Sequence, residues 1–137
     1  MTTTPHHRDL PPLLTDADVL ARVEMFVGSA TGDRTLWLFL IDGDRRQAPV
    51  VVPLEGVPHL PDDTVDGVGR LLEQFVPELA TDAGPGSVVF VSERFGPHEV
   101  VPADRDWAEA LERACLRAGV VSRGTYASTR SGVLRVR

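Results

Sequence analysis

Two short apolar runs limit most strongly what this chain can fold into. Thr35–Ile41 reads Thr-Leu-Trp-Leu-Phe-Leu-Ile, Val88–Val91 reads Val-Val-Phe-Val, and neither carries a polar stripe. A strand with one wet face alternates apolar and polar residues, whereas runs like these are typical of strands that are covered on both faces. The sequence therefore predicts a sheet flanked by helices, with Thr35–Ile41 as a central strand.

Three segments place apolar residues at helical spacing, over about 16–29, 62–79 and 104–118. Each follows residues that can cap a helix, because their side chains accept hydrogen bonds from the first free backbone N–H groups. The predicted caps are Thr15 with Asp18, then one of Asp62, Asp63 and Thr64, then Asp104. Gly119 ends the third helix.

The remaining strands follow from turn signals. Asp42-Gly43 is a hairpin signal, so Gln47–Leu54 should return antiparallel to the central strand. Pro49 and Pro53 favour an edge position for it, because proline cannot donate to a sheet ladder. Two further strands are predicted at 120–128 and 133–136. The predicted fold is one α/β domain with a mixed sheet of about five strands and three helices, in the order α-β-β-α-β-α-β-β.

Composition agrees with one globular domain, since 42% of the 137 residues are hydrophobic and 25% are charged. We expect residues 1–13 to form a flexible leader and 14–137 the domain. The longest apolar run is far shorter than the roughly 20 residues that span a bilayer, and the N-terminus lacks a secretory pattern. We therefore expect a cytoplasmic protein without membrane contact. A net charge of −6 makes nucleic acid an unfavourable partner.

The stretch Ser92–Pro102 shows no periodicity and follows a buried strand, where open α/β sheets usually bind ligands. It is the predicted site of any local function, and its candidate residues are Glu93, Arg94, Phe95, His98, Glu99 and the nearby Asp106. Arg94 either grips an anion or forms an ordinary surface ion pair, which we favour. Phe95 either contacts a partner or packs back onto the domain.

Other residues with reactive side chains are interpreted as structural. Cys115 lies on the apolar face of the third helix, which predicts a buried thiol and not a nucleophile. His59 is a loop histidine without a matching acid or nucleophile in the sequence. The remaining aromatic residues are predicted to pack in the core: Phe26, Trp37, Phe39, Phe75, Phe90 and Trp107.

The stretch Ser87–Leu134 resembles part of the JAB/MPN-type metalloprotease domains, especially their RadC-like branch. In that family a buried strand enters a His-x-His-Pro-Ser-Gly loop, and Pro-Ser-x-x-Asp then opens a helix that ends in Gly-Ile. Here Val88–Val91 leads to Glu93-Arg-Phe-Gly-Pro-His98, then to Pro102-Ala-Asp-Arg-Asp106, a helix and Gly119-Val120. The upstream order of elements is also similar.

The resemblance does not carry the family's metal ligands. The two histidines fall near Glu93 and Phe95, only Asp106 matches a ligand position, and the catalytic glutamate has no counterpart. The resemblance thus implies an inactive relative without a metal cofactor. We predict a non-catalytic module that binds a protein or ligand, with no cofactor. One alternative is a metal-dependent hydrolase using His98, Glu99 and Asp106. Another is self-association through the edge strand Gln47–Leu54 or the C-terminal strand.

Overall fold

The computed structural model describes residues 10–137, which form three helices and five strands. This confirms the predicted α/β class, the mixed five-stranded sheet and the order of the elements. A 3-10 turn, Val76–Leu79, follows the second helix. The elements are α1 Asp16–Phe26, β1 Thr35–Ile41, β2 Gln47–Glu55, α2 Thr64–Phe75, β3 Ser87–Glu93, α3 Pro102–Ala118, β4 Val121–Thr129 and β5 Gly132–Arg135.

The sheet has the strand order β2-β1-β3-β4-β5. β1 pairs antiparallel with both β2 and β3, so it is the central strand that its apolar sequence predicted. β3 and β4 are parallel, with α3 as the crossover that a parallel pair requires. β2 lies at an edge, as its prolines predicted.

Helices cover both faces of the sheet, which explains the continuous apolar sequence of β1. Leu36, Leu38 and Leu40 pack with α2 and α3 on one face. Phe39 and Ile41 pack with α1 on the other. Successive residues of β1 therefore face different helix layers, and solvent reaches little of either side.

Buried residues are found before the predicted boundary at residue 14. Leu10 is 6% exposed and Leu13 is 2% exposed. Arg22, which is itself buried, donates from Nη2 to the carbonyl of Pro11 at 2.5 Å. Leu10 and Leu13 are therefore packed against the domain, although both lie in the segment 1–13 that the sequence predicts as a flexible leader. Its remainder, residues 1–9, lies outside the described part of the chain.

The turn between β1 and β2 differs from the predicted Asp42-Gly43 turn. The left-handed conformation falls on Arg45, with φ of 65°, and Arg45 donates its N–H to the carbonyl of Asp42. Gly43 is required for a different reason. A Cβ there would lie 2.1 Å from the carbonyl oxygen of Gly84, so only glycine permits this close approach.

Two aromatic residues predicted for the core are partly exposed. Phe26 is 37% exposed and Phe75 is 46% exposed. Both lie at the last position of a helix, and after α2 the 3-10 turn gives the buried position to Val76 instead. Core packing is confirmed for Phe39, Phe90 and Trp107. Within residues 10–137 no helix combines the length and apolarity needed to cross a membrane.

Candidate functional site

The carboxyl ends of the parallel strands β3 and β4 meet at one edge of the sheet. β3 continues to Glu93, so the irregular loop covers 94–101 and is shorter than the predicted Ser92–Pro102. The turn Arg130–Ser131 lies beside it, because Glu93 is in register with Ser128 at the end of β4. This is the edge at which the sequence predicted a site.

Glu93 anchors the neighbouring loop and does not face a ligand. Its Oε2 accepts hydrogen bonds from the backbone N–H of Thr31 at 2.8 Å and of Gly32 at 3.2 Å, and its Oε1 accepts from Trp37 Nε1 at 3.0 Å. Burial raises the pKa of Glu93, but these hydrogen bonds to the carboxylate outweigh it and leave the pKa below its ordinary value. The Glu93 carboxylate therefore holds the 31–32 segment against β3.

Arg94 forms an ion pair with Asp104, but the pair is buried, with 3% of each side chain exposed. The prediction of a surface pair is therefore wrong, because the loop folds over the guanidinium. Nε donates to Asp104 Oδ1 at 2.8 Å and Nη2 to Oδ2 at 2.7 Å. The same guanidinium donates to the carbonyls of Phe95, Pro97 and Glu99. The hydrogen bond to Asp104 raises the pKa of Arg94.

Asp104 lies inside α3 and not in front of it. The helix begins at Pro102, and Asp104 Oδ2 accepts the N–H of Val101 at 3.1 Å. Asp104 therefore caps the helix backwards from its third position while it holds Arg94. Asp106, the fifth residue of α3, is exposed.

Phe95 and Arg130 form a stacked pair at the tip of this edge. The guanidinium carbon of Arg130 lies 4.1 Å from the centre of the Phe95 ring. The backbone N–H of Phe95 donates to Asp33 Oδ1 at 3.1 Å, which fixes the base of the ring. Phe95 is half-buried and Arg130 is exposed. The sequence analysis missed Arg130, since only the register of β3 and β4 places it beside the loop.

His98 and Glu99 also lie on the outer side of the loop, and both are exposed. His98 Nδ1 is 2.6 Å from the Thr129 hydroxyl. His98 borders a shallow cleft of about 360 Å³ between α1 and the β4–β5 turn, together with Glu24 and Ser131. Below, the side chains of Phe95, His98, Glu99 and Arg130 are called the loop surface.

The predicted residues do not fit a metal ion. A zinc site needs about three to four side-chain ligands directed at one point. The three residues of the hydrolase alternative, His98, Glu99 and Asp106, form no such group within residues 10–137, and the nearby carboxylates of Glu93 and Asp104 already accept hydrogen bonds from Thr31, Trp37 and Arg94. Across residues 10–137 no three His, Cys, Asp or Glu side chains converge in a way that could hold a metal.

Cys115 is buried, as predicted, at 2% exposure. Burial, together with the charge of Glu112, raises the pKa of its thiol to about 11. His59 lies in the loop before α2, also as predicted, and its Nδ1 is 2.6 Å from Arg34 Nη2.

No family model, curated protein or solved structure matches the chain.

Proposed function

We propose that this domain is a non-catalytic module that binds a protein partner through the loop surface. The observation that carries the proposal is the buried guanidinium of Arg94, which holds three loop carbonyls and the first turn of α3. An exposed loop held in this way is fixed before binding, so little conformational entropy is lost when a partner docks.

The residues presented by the loop support this role. Aromatic residues and arginine are enriched in the energetically important centres of protein interfaces. Phe95 and Arg130 supply one of each in a single stack. The polar groups of Glu93, Arg94 and Asp104 make hydrogen bonds inside the domain. These residues therefore position the loop surface and are not part of it.

Self-association through β2 has less support from the structure. Pro53 is in register with Trp37, and Pro49 lies in the irregular stretch of β2 between the residues paired with Phe39 and Ile41. A proline in an edge strand removes an N–H that would otherwise face outward, and an added strand needs those donors. The two prolines therefore protect β2 against pairing with a second copy.

A relationship to the JAB/MPN-type domains is also our proposal. Its support is the order of β3, loop, α3 and β4, and the arrangement of the loop residues favours a relative without a metal centre. The hydrolase alternative is less well supported, because Glu99 contacts Arg94 only through its backbone carbonyl and the His98 ring contacts Thr129.

The test is selective capture from an extract of the cells that produce the protein. Wild type, Phe95→Ala and Arg130→Glu are immobilised, and retained proteins are identified by mass spectrometry. The control is Leu116→Asp, because Leu116 is 76% exposed and lies 14 residues further along α3 than Pro102, about 21 Å away at 1.5 Å per residue.

We expect one set of proteins to bind wild type and Leu116→Asp but not the two loop-surface variants. With the purified partner, Phe95→Ala should weaken binding roughly 30-fold, the effect of losing a central contact worth about 2 kcal/mol. The proposal fails if no protein is retained specifically, or if Leu116→Asp loses the partner and the loop variants keep it.

A further inference from the structure

A second recess lies at the opposite end of β4, where three arginines meet. Arg123, Arg135 and Arg137 line a cleft of about 350 Å³ together with Asp16 and Glu112. We call it the arginine cleft. It does not involve the loop surface, so the inference below is independent of the proposed function.

A β-bulge in β4 forms the floor of the cleft. Val88 and Phe90 of β3 pair with Ser122 and Thr125, so β4 carries one extra residue over this interval. Gly124, in the bulge, has φ of 123°, a conformation that side chains rarely adopt. Bulges redirect neighbouring side chains and are frequent next to functional sites.

The arginines retain more donors than the protein uses. Arg135 pairs with Asp16 at 2.6 Å, and Arg137 pairs with Glu112 at 2.6 Å. Arg123 Nη2 donates to the carbonyl of Leu13 at 2.8 Å, and among residues 10–137 no carboxylate lies within ion-pair distance of Arg123. Each guanidinium offers five N–H donors, so most of those in the cleft remain free for an acceptor.

A buried hydroxyl on the neighbouring residue Tyr126 also lacks a hydrogen-bond partner in the described part of the chain. Tyr126 is 1% exposed. A Cβ on Gly124 would lie 3.2 Å from the backbone oxygen of Arg137, 3.3 Å from Tyr126 Cε1 and 3.5 Å from Arg135 Nη2, so one edge of the Tyr126 ring lies beside Gly124, which lines the cleft. Burial raises the pKa of Tyr126, and the charges of Arg135, Asp16 and Arg123 also act on it.

We propose that the arginine cleft binds the phosphate group of a small phosphate monoester. Arg123 and Arg135 donate to the phosphate oxygens, and Tyr126 supplies a third donor. The Arg135 side chain is 44% exposed, and its guanidinium carbon lies over the Tyr126 ring, 5.9 Å from the ring centre. Because the Tyr126 hydroxyl is buried, its donation to the phosphate requires Arg135 to leave Asp16 and the ring edge to become accessible from the cleft. Arginine suits this ligand because its planar fork matches two phosphate oxygens at once.

The test is a titration with inorganic phosphate at constant ionic strength, followed by ¹H–¹⁵N NMR of the full chain. We expect saturable shifts at the amides of Gly124 and Thr125. Arg123→Gln and Arg135→Gln should each weaken binding on the order of tenfold, the effect of losing one hydrogen bond to a charged group. Arg70→Gln, which removes one exposed charge on α2, should leave the affinity unchanged.

Tyr126→Phe separates a ligand contact from a structural one. Because the hydroxyl has no acceptor within residues 10–137, the variant should unfold at the same or higher urea concentration than wild type. It should nevertheless bind phosphate several-fold more weakly. The proposal is overturned if the shifts do not saturate, if Arg70→Gln weakens binding as much as Arg123→Gln, or if Tyr126→Phe binds like wild type.

A small ester and a lipid headgroup share this phosphate chemistry, and two further probes distinguish them. Glycerol 3-phosphate should bind more tightly than inorganic phosphate, because the cleft of about 350 Å³ leaves room beyond the phosphate group. Vesicles of phosphatidylcholine with phosphatidic acid should not sediment the protein. Sedimentation with the vesicles, or failure of glycerol 3-phosphate to bind, would overturn the assignment to a small ester.

Discussion

Replacing Asp104 by Asn should destabilise the domain strongly while changing its shape little. The substitution leaves the Arg94 guanidinium buried without its counter-charge. In wild type its donors meet the Asp104 carboxylate at 2.7–2.8 Å, whereas in the variant one of them faces the N–H₂ group of the new amide. Removing one partner of a buried ion pair costs about 3–5 kcal/mol. Domains of this size unfold with a free energy of only about 5–15 kcal/mol, so the loss is a large share of the total.

The assay is urea unfolding at pH 7, followed by circular dichroism, for wild type and variant. We expect the midpoint to fall at an unchanged slope, and the thermal midpoint to fall by roughly 10 °C. Asp106→Asn is the matched control: it is the same substitution two residues later at an exposed position, and should change the unfolding free energy by less than about 0.5 kcal/mol. A loss below about 1 kcal/mol for Asp104→Asn would refute the reasoning, because exposed ion pairs contribute that little.

Three further predictions concern stability and reactivity. Glu93→Gln should lower the free energy of unfolding by about 2 kcal/mol at pH 7. Folding lowers the pKa of Glu93, so its stabilising contribution is complete above the ordinary pKa of a carboxylate and disappears as the pH falls through the folded value. The unfolding free energies of wild type and variant should therefore converge in acid. The Cys115 thiol, whose pKa is raised to about 11, should react with iodoacetamide at pH 8 only as fast as the domain unfolds, and rapid labelling of native protein would contradict its burial. Gly43→Ala should lower the free energy of unfolding by more than about 1 kcal/mol, because the new Cβ meets the Gly84 carbonyl. Gly69→Ala, in the middle of α2 with no described atom within 4 Å of the new Cβ, should raise it by roughly 0.5–1 kcal/mol. Urea midpoints that move in the same direction for both variants would refute the distinction.

The order of helices and strands could be predicted because it depends on local patterns. The apolar run of β1 and the helical spacing in α3 each reflect which faces of one element are covered, and that information lies within a few residues. Helix ends were less certain. Phe75 keeps the spacing of α2, but the chain tightens after it and Val76 takes the core position instead.

The site depends on contacts that no local pattern encodes. Arg94 and Asp104 are ten residues apart, and the sequence cannot distinguish a surface pair from one that the loop encloses. The Phe95–Arg130 stack requires the parallel register of β3 and β4, which follows only once α3 has crossed over the sheet. Three residues of the loop surface, Phe95, His98 and Glu99, were candidates from the sequence, whereas Arg130 and the buried pair that holds the loop could not be predicted from it.

The central claim is that Arg94 holds the loop 94–101 in one conformation before any partner binds. The most direct measurement is ¹⁵N relaxation of the backbone amides in this loop in free wild-type protein. We expect order parameters near 0.85, about those of a rigid backbone, and a marked decrease in Asp104→Asn. Values below about 0.6 in wild type would show a loop that moves freely on the picosecond-to-nanosecond timescale, and would contradict a preformed binding surface.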